Sequence, residues 1–172
     1  MSFKICVSGA AEGDCLNPEN LEKAERVGRA IAKFGAILVS GATTGIPHAA
    51  AKGVKDAGGV SIGFSPAASR LDHIKRYRLP TKFLDLTVYT GFGYAGRNLI
   101  LTRSADAVII ICGRIGTLNE FTVAFEDRKP IGVLEGSGGE ADEIRDITRI
   151  AHKHECKVLY ETDPEKLVQE LI

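Results

Sequence analysis

At 172 residues the chain has room for one domain with a sizeable buried core and is too short for two of ordinary size. Its 22 lysines and arginines balance 22 aspartates and glutamates, which removes the overall field that would draw it to nucleic acid or to an anionic membrane, so any anion site must be local. The four cysteines, Cys6, Cys15, Cys112 and Cys156, show neither a C-x-x-C pair nor metal-ligand spacing and are expected as reduced, mostly buried thiols, with no metal and no cofactor.

The N-terminal "MSFKICVSGA" enters a strand pattern directly, without a signal-peptide core, and no apolar run reaches membrane-span length, so a soluble cytoplasmic protein is expected. Seven short β-branched or apolar runs follow in order: "FKICVSG", "AILVSG", "GVSIGF", "LDLTVYT", "AVIIICG", "PIGVLEG" and "KVLYET". Between the first two, Asn17 as N-cap, Pro18 at the first helical position and a stripe of Leu21, Ala24, Val27, Ile31 and Phe34 predict a helix that Gly35 ends. Further helices are predicted over "GIPHAAAKGVKDAG", "GYAGRNLILTRSA", "TLNEFTVAFEDR", "EADEIRDITRIAHKHE" and "DPEKLVQELI". Only Ser65 to Lys82 breaks the rhythm, and it reads as an insertion or surface loop with some helix. The alternation implies right-handed crossovers and a single α/β domain over residues 1–172: a Rossmann-like, doubly wound, mostly parallel sheet of about seven strands with helices on both faces.

In such a sheet ligands bind beyond the carboxyl ends of the strands, where the first N–H groups of helices lack partners. The strand-to-helix turns are therefore the places to look. Gly9 and Ala10 lie in a small-residue turn after the first strand, which equally suits a close ligand or a plain tight turn. Gly41, Thr43, Thr44 and Gly45 make a hydroxyl-rich turn opening onto a helix, where the dipole favours an anion by roughly 0.3 to 1 kcal/mol. It is neither a G-x-G-x-x-G nor a P-loop pattern, so no dinucleotide or triphosphate site is expected from it.

A third turn has three glycines, Gly91, Gly93 and Gly96, with Arg97 early in the helix that follows. A cation there opposes the dipole and calls for an anionic partner, although exposure to solvent is the commoner fate of arginine. The fourth turn, "CGRIGTLNEF", sets Gly113 and Gly116 around Arg114, then Thr117 and Glu120. The T-x-x-E spacing fits a capping box, and it fits equally a carboxylate projecting over the sheet edge as acid or base. His152, His154 and Cys156 are spaced by two and do not share a helix face, which speaks against a metal site. His73, Lys75, Arg76 and Arg78 form a basic cluster that reads as a solvated face, with a phosphate contact as the lesser alternative.

Taken together, "ICVSGAA", "NPENLEKAERVGRAIAKFGAILVSGATTGIPHAAAKGVKDAGG", "GRNLILTRSADAVIIICGRIGTLNEF" and "KPIGVL" resemble the LOG family and its SLOG relatives, formerly labelled lysine decarboxylase-like. The resemblance runs from Ile5 to about Leu134 and is weakest over Ser65 to Lys82 and the last helices. It implies cleavage of the N-glycosidic bond of nucleoside 5′-monophosphates to free base and ribose 5-phosphate, with Arg97 and Glu120 as catalytic residues. It further implies that Gly41, Thr43 to Gly45, Gly113, Gly116 and Thr117 hold the phosphate. The family pattern P-G-G-x-G-T-x-x-E is altered here: Cys112 stands for the proline, Arg114 for the second glycine, and Asn119 for a frequent glutamate. Arg114 adds bulk where a glycine lets phosphate approach, yet its guanidinium can itself pair with phosphate.

The related molybdenum-cofactor carriers, which bind a phosphorylated pterin without catalysis, supply the alternative reading. The implied partners are a nucleotide or other phosphorylated small molecule and a second copy of the chain, as a dimer or tetramer. A pyridoxal-phosphate decarboxylase is the reading least supported, since it needs a larger cofactor scaffold.

Overall fold

The computed structural model describes residues 2–151 and 156–172. Its elements run β1 (Lys4–Gly9), α1 (Pro18–Lys33), β2 (Ile37–Ser40), α2 (Ile46–Asp56), β3 (Val60–Ser65), α3 (Arg70–Lys75), β4 (Leu86–Tyr89) and α4 (Gly93–Ser104). They continue with β5 (Ala107–Ile111), α5 (Ile115–Glu126), β6 (Ile131–Leu134), α6 (Glu140–Ile150), β7 (Val158–Glu161) and α7 (Pro164–Leu171). The sheet order is β4-β3-β2-β1-β5-β6-β7. Every pairing is parallel, so the expected "mostly parallel" sheet is parallel throughout. The chain walks outward from β1 to β4 and then returns to lay β5 on the other side of β1, which makes the β1/β5 boundary the topological switch point.

Successive side chains of a strand point to opposite faces, and the core divides accordingly. Ile5 and Val7 of β1 pack with Ala24, Val27 and Ile31 of α1, with Ile46, Ala50 and Val54 of α2, and with Leu167, Val168 and Leu171 of α7. Cys6, between them in sequence, faces the other layer, made of Leu101 from α4, Phe121, Ala124 and Phe125 from α5, and Ala141 and Ile144 from α6. Each large apolar side chain taken fully out of water contributes about 1.5–3 kcal/mol. Two half-cores on one sheet explain why the central strand β5 reads Ala-Val-Ile-Ile-Ile without alternation. The start of α1 follows the sequence signal, with the Asn17 side chain accepting from the Asn20 N–H at 2.8 Å and Pro18 opening the first turn.

Three expectations are corrected. Helix α5 begins at Ile115 with Arg114 as N-cap, and no side-chain capping bond forms, so Thr117 and Glu120 do not make a capping box. The N-cap is Arg114 rather than Thr117, three residues earlier, so Glu120 lies beyond the first turn and is buried. The cysteines are not all reduced: Cys15 and Cys112 form a disulfide with Cα atoms 6.0 Å apart, while Cys6 and Cys156 are free. Pairing of β1 with β5 brings the ends of the two strands together, and a separation of 97 residues hides that proximity from the sequence.

The basic cluster is not uniformly a solvated face, because His73 is fully buried. Its Nε2 faces the Pro80 carbonyl at 2.9 Å and therefore donates, leaving Nδ1 to accept from the Ser65 hydroxyl at 2.8 Å. No helix of the described residues is long and apolar enough to cross a membrane. His152 and His154 lie outside the described residues.

Candidate functional site

A cavity of about 560 Å³ opens at the carboxyl edge of the sheet, over β1 and the turns that follow β1, β2 and β5. Of the residues singled out from the sequence, Gly9, Ala10, Gly41, Thr43, Thr44, Arg97, Arg114, Gly116, Thr117 and Glu120 line it. Gly45 and Gly113 sit behind that wall. Gly45 has φ +68° at the start of α2, and a Cβ there would fall 2.3 Å from the Ala10 carbonyl oxygen, so this corner where two turns touch accepts only glycine.

The two candidate anion cradles differ once their N–H groups are followed. At α2 the Ile46 N–H donates to the Ala10 carbonyl at 2.9 Å, and Pro47 has no N–H to offer. At α5 the N–H groups of Ile115 and Gly116 have no hydrogen-bond partner among the described residues, and no side chain caps the helix. The open helix end is therefore that of α5, three turns long and with its dipole aimed at the cavity mouth.

The cavity floor holds two buried ionisable groups. Arg97 is 5% exposed; its Nη1 donates to the Phe64 carbonyl at 3.3 Å, and its Nε has no partner among the described residues. Among the described residues no carboxylate lies within ion-pair distance of it. Glu120 acts on it electrostatically from beyond that distance; a buried guanidinium so loosely paired is costly, and a ligand anion in the cavity would offset that cost. Glu120 is 6% exposed and accepts a hydrogen bond from the Ser8 hydroxyl of β1. Burial pushes its carboxyl above the usual range, while the Arg97 guanidinium and the Ser8 hydroxyl pull it back. Beneath them Cys6 is pushed up as well, chiefly by burial and then by Glu120.

The mouth is charged and aromatic. Arg114 spans it, pairing with Glu12 of the β1–α1 loop at 2.9 Å. Tyr77, Arg78 and Leu79 reach the cavity from the stretch that resisted placement in the sequence. They get there because His73 anchors α3 from below and Arg78 adopts φ +54°, with the Leu79 N–H returning to the His73 carbonyl at 3.0 Å. Tyr77 meets Tyr94 of α4 edge to face with ring centres 5.6 Å apart, and the Arg97 guanidinium lies 5.9 Å from the Tyr94 ring centre.

Ser8, Glu12, Tyr77, Leu79, Tyr94 and Asn98 were not among the predicted site residues. Asn98 carried a usable signal, since it follows Arg97 on the same helix; its Nδ2 donates to Asn119 Oδ1 at 3.0 Å and its Oδ1 is buried without a partner among the described residues. Ser8 also stood in a turn already under suspicion. Tyr77 and Leu79 gave none. Among the described residues no three His, Cys, Asp or Glu side chains converge in a way that could hold a metal ion.

A model of the SLOG cluster4 family matches residues 2–168. An uncharacterized protein of Archaeoglobus fulgidus is 34% identical over 133 residues, covering 77% of this chain and 80% of that protein. The molybdenum cofactor binding protein from the phototrophic bacterium Rippkaea orientalis superposes with a TM-score of 0.80 at 27% identity, over 99% of this chain and 95% of the other. The molybdenum cofactor carrier protein of Chlamydomonas reinhardtii does so with a TM-score of 0.76 at 25% identity, over 99% of this chain and 98% of its own.

Proposed function

The chain belongs to the SLOG cluster4 family, and on that footing we propose that it binds a phosphorylated planar heterocycle of the molybdenum-cofactor class and carries it without breaking it. The observation that carries this reading is Arg97, a buried guanidinium with no carboxylate within ion-pair distance among the described residues, at the floor of a cavity whose rim holds the open N-terminus of α5. One charge on the floor and two free N–H groups at the rim suit a phosphate held between them. The Tyr77–Tyr94 pair gives a flat ring system an aromatic wall. Two solved relatives named for the molybdenum cofactor support the same ligand class.

Glu120 keeps a second reading alive, cleavage of a nucleoside 5′-monophosphate with Arg97 and Glu120 as catalytic residues. A carboxyl raised by burial at the cavity floor suits general acid–base chemistry near an anomeric carbon. Against it stand the Ser8 hydroxyl already bonded to one carboxylate oxygen and Arg114 in place of a glycine.

One experiment separates the two. The purified protein is incubated with a panel of nucleoside 5′-monophosphates, followed by chromatography for free base and ribose 5-phosphate; in parallel, molybdenum cofactor is mixed with the protein and its oxidation followed. Protection of the cofactor with every nucleotide intact is the expected result. Release of free base, lost in Glu120→Gln, would establish hydrolysis instead.

Exposed Phe92 just ahead of α4, Tyr94 and Leu99 on α4 and Ile115 on the neighbouring α5 also support self-association of the chain into a homo-oligomer. Light scattering after gel filtration tests this, and a monomer at tens of micromolar would overturn it.

A further inference from the structure

The β1–α1 loop and the turn after β5 are tied together twice along one edge of the cavity. The first tie is the disulfide from Cys15 to Cys112. The second is the ion pair from Glu12 to Arg114 at 2.9 Å, with the same Nη1 donating to the Glu12 carbonyl at 3.3 Å. Both partners of the second tie line the cavity.

The two ends of the disulfide are held differently. Cys112 is buried and locked, its N–H donating to Ser137 Oγ at 2.7 Å and its carbonyl accepting from the Ala141 N–H at 2.9 Å. Cys15 is only half-buried, and Glu12, Gly13 and Asp14 ahead of it are exposed. Ala10 and Ala11 are fixed from the other side, through the Ile46 N–H and the Thr44 hydroxyl, and the Cys15 carbonyl accepts from Asn20 Nδ2 at 2.8 Å, so the covalent bond adds its restraint to a short arm of Glu12, Gly13 and Asp14 between these two anchors. The ion pair alone is a weak restraint, because its side chains are 53% and 79% exposed.

We propose that the Cys15–Cys112 pair is a redox-responsive modification site, which in its oxidised form holds the Glu12 arm against Arg114 and in its reduced form releases Arg114 to the anionic ligand. The consequence for affinity rests on the cavity being a phosphate site; the redox tie itself does not. The co-reactant is a small thiol or a dithiol protein. Its thiolate attacks the more accessible Cys15 sulfur, the Cys15–Cys112 bond breaks, and Cys112 leaves as a thiolate that takes up a proton. A second thiolate of the reductant then attacks its own sulfur in the mixed disulfide, releasing Cys15, which is protonated in turn. Two electrons and two protons reach the protein, and the reductant ends as a disulfide.

The test uses the full chain in air-oxidised and dithiol-reduced forms. Thiol titration under denaturing conditions should count two free thiols in the first and four in the second, since Cys6 and Cys156 are free in both. Hydrogen exchange should show residues 12–16 losing protection on reduction, with α2 unchanged. Calorimetric titration with inorganic phosphate should give an affinity about three- to five-fold higher in the reduced form and in Cys15→Ser, the size set by an exposed ion pair. Four free thiols in the air-oxidised protein, or identical exchange in both forms, would overturn the redox site. Altered exchange with no phosphate binding in either form would uphold the redox tie and overturn the phosphate reading of the cavity.

Discussion

Arg97 and Gly41 are packed against each other so closely that a Cβ on Gly41 would fall 1.7 Å from the Arg97 Nη1 atom. The glycine after β2 therefore makes room for a cation donated by α4, five elements further along the chain. Gly41→Ala should push the guanidinium off its seat while leaving both half-cores untouched. Phosphate affinity is expected to fall about ten-fold or more, equivalent to about 1.4 kcal/mol, with thermal stability little changed; calorimetric titration and a thermal melt check both.

Replacement of Glu120 by glutamine isolates the effect of its charge. Burial outweighs Arg97 and raises the folded-state value above 4.5, so folding favours the protonated carboxyl. The stability this group contributes is complete below the unfolded value near 4.5 and is lost as pH rises through the raised folded value. Glu120→Gln, which mimics the protonated form and still accepts from Ser8, should raise Tm at pH 7 by about 2–4 °C for each 1 kcal/mol gained and give no advantage at pH 4. An equal Tm difference at both pH values would contradict this.

Glu161 has the opposite sign. The Lys166 ammonium and the N–H groups of Asp163 and Thr162 lower its carboxyl to about 2. Its stabilising contribution is present above the unfolded value near 4.5 and disappears as pH falls through about 2. Urea midpoints of wild type and Glu161→Gln should differ at pH 7 and converge near pH 2.

Removing the Glu12 carboxylate leaves Arg114 only the Glu12 backbone carbonyl as a partner at the mouth. Glu12→Gln should tighten phosphate binding by up to about five-fold in the oxidised protein, the upper range for an exposed pair, and the gain should shrink as salt is added. Titrations at low and high ionic strength check it.

Cleavage of the disulfide also has a stability consequence. A cross-link closing a loop of 97 residues restricts the unfolded chain, worth up to about 4.7 kcal/mol in the entropic model and commonly less in practice. The reduced protein should therefore unfold at lower urea than the oxidised protein, with similar dependence on denaturant.

Local chemistry made much of this molecule legible in its sequence. The Asn17 cap, the apolar stripe of α1 and the β-branched runs each describe a structure formed within a few residues, and β-α alternation then leaves few topologies open. The glycine-rich turns, Arg97 and Glu120 could be found because a doubly wound sheet always gathers such turns at one edge. Where Glu120 pointed was not legible, since a capping box and an inward carboxylate share one spacing and differ only in whether the N-cap is Arg114 or Thr117.

The sequence by itself determined the order of the seven strands and of the helices other than α3, the α/β class and the glycine-rich turns that meet at the sheet's carboxyl edge, because each follows from periodicity or turn chemistry over short distances. Only the tertiary structure decided that Cys15 bonds Cys112, that Ser8 holds Glu120, that Arg97 seats on Gly41, and that Tyr77 to Leu79 complete the cavity. The disulfide joins residues 97 positions apart and the Ser8–Glu120 bond joins residues 112 apart. Their physical cause is the return of the chain across β1, a long-range choice that no local pattern encodes.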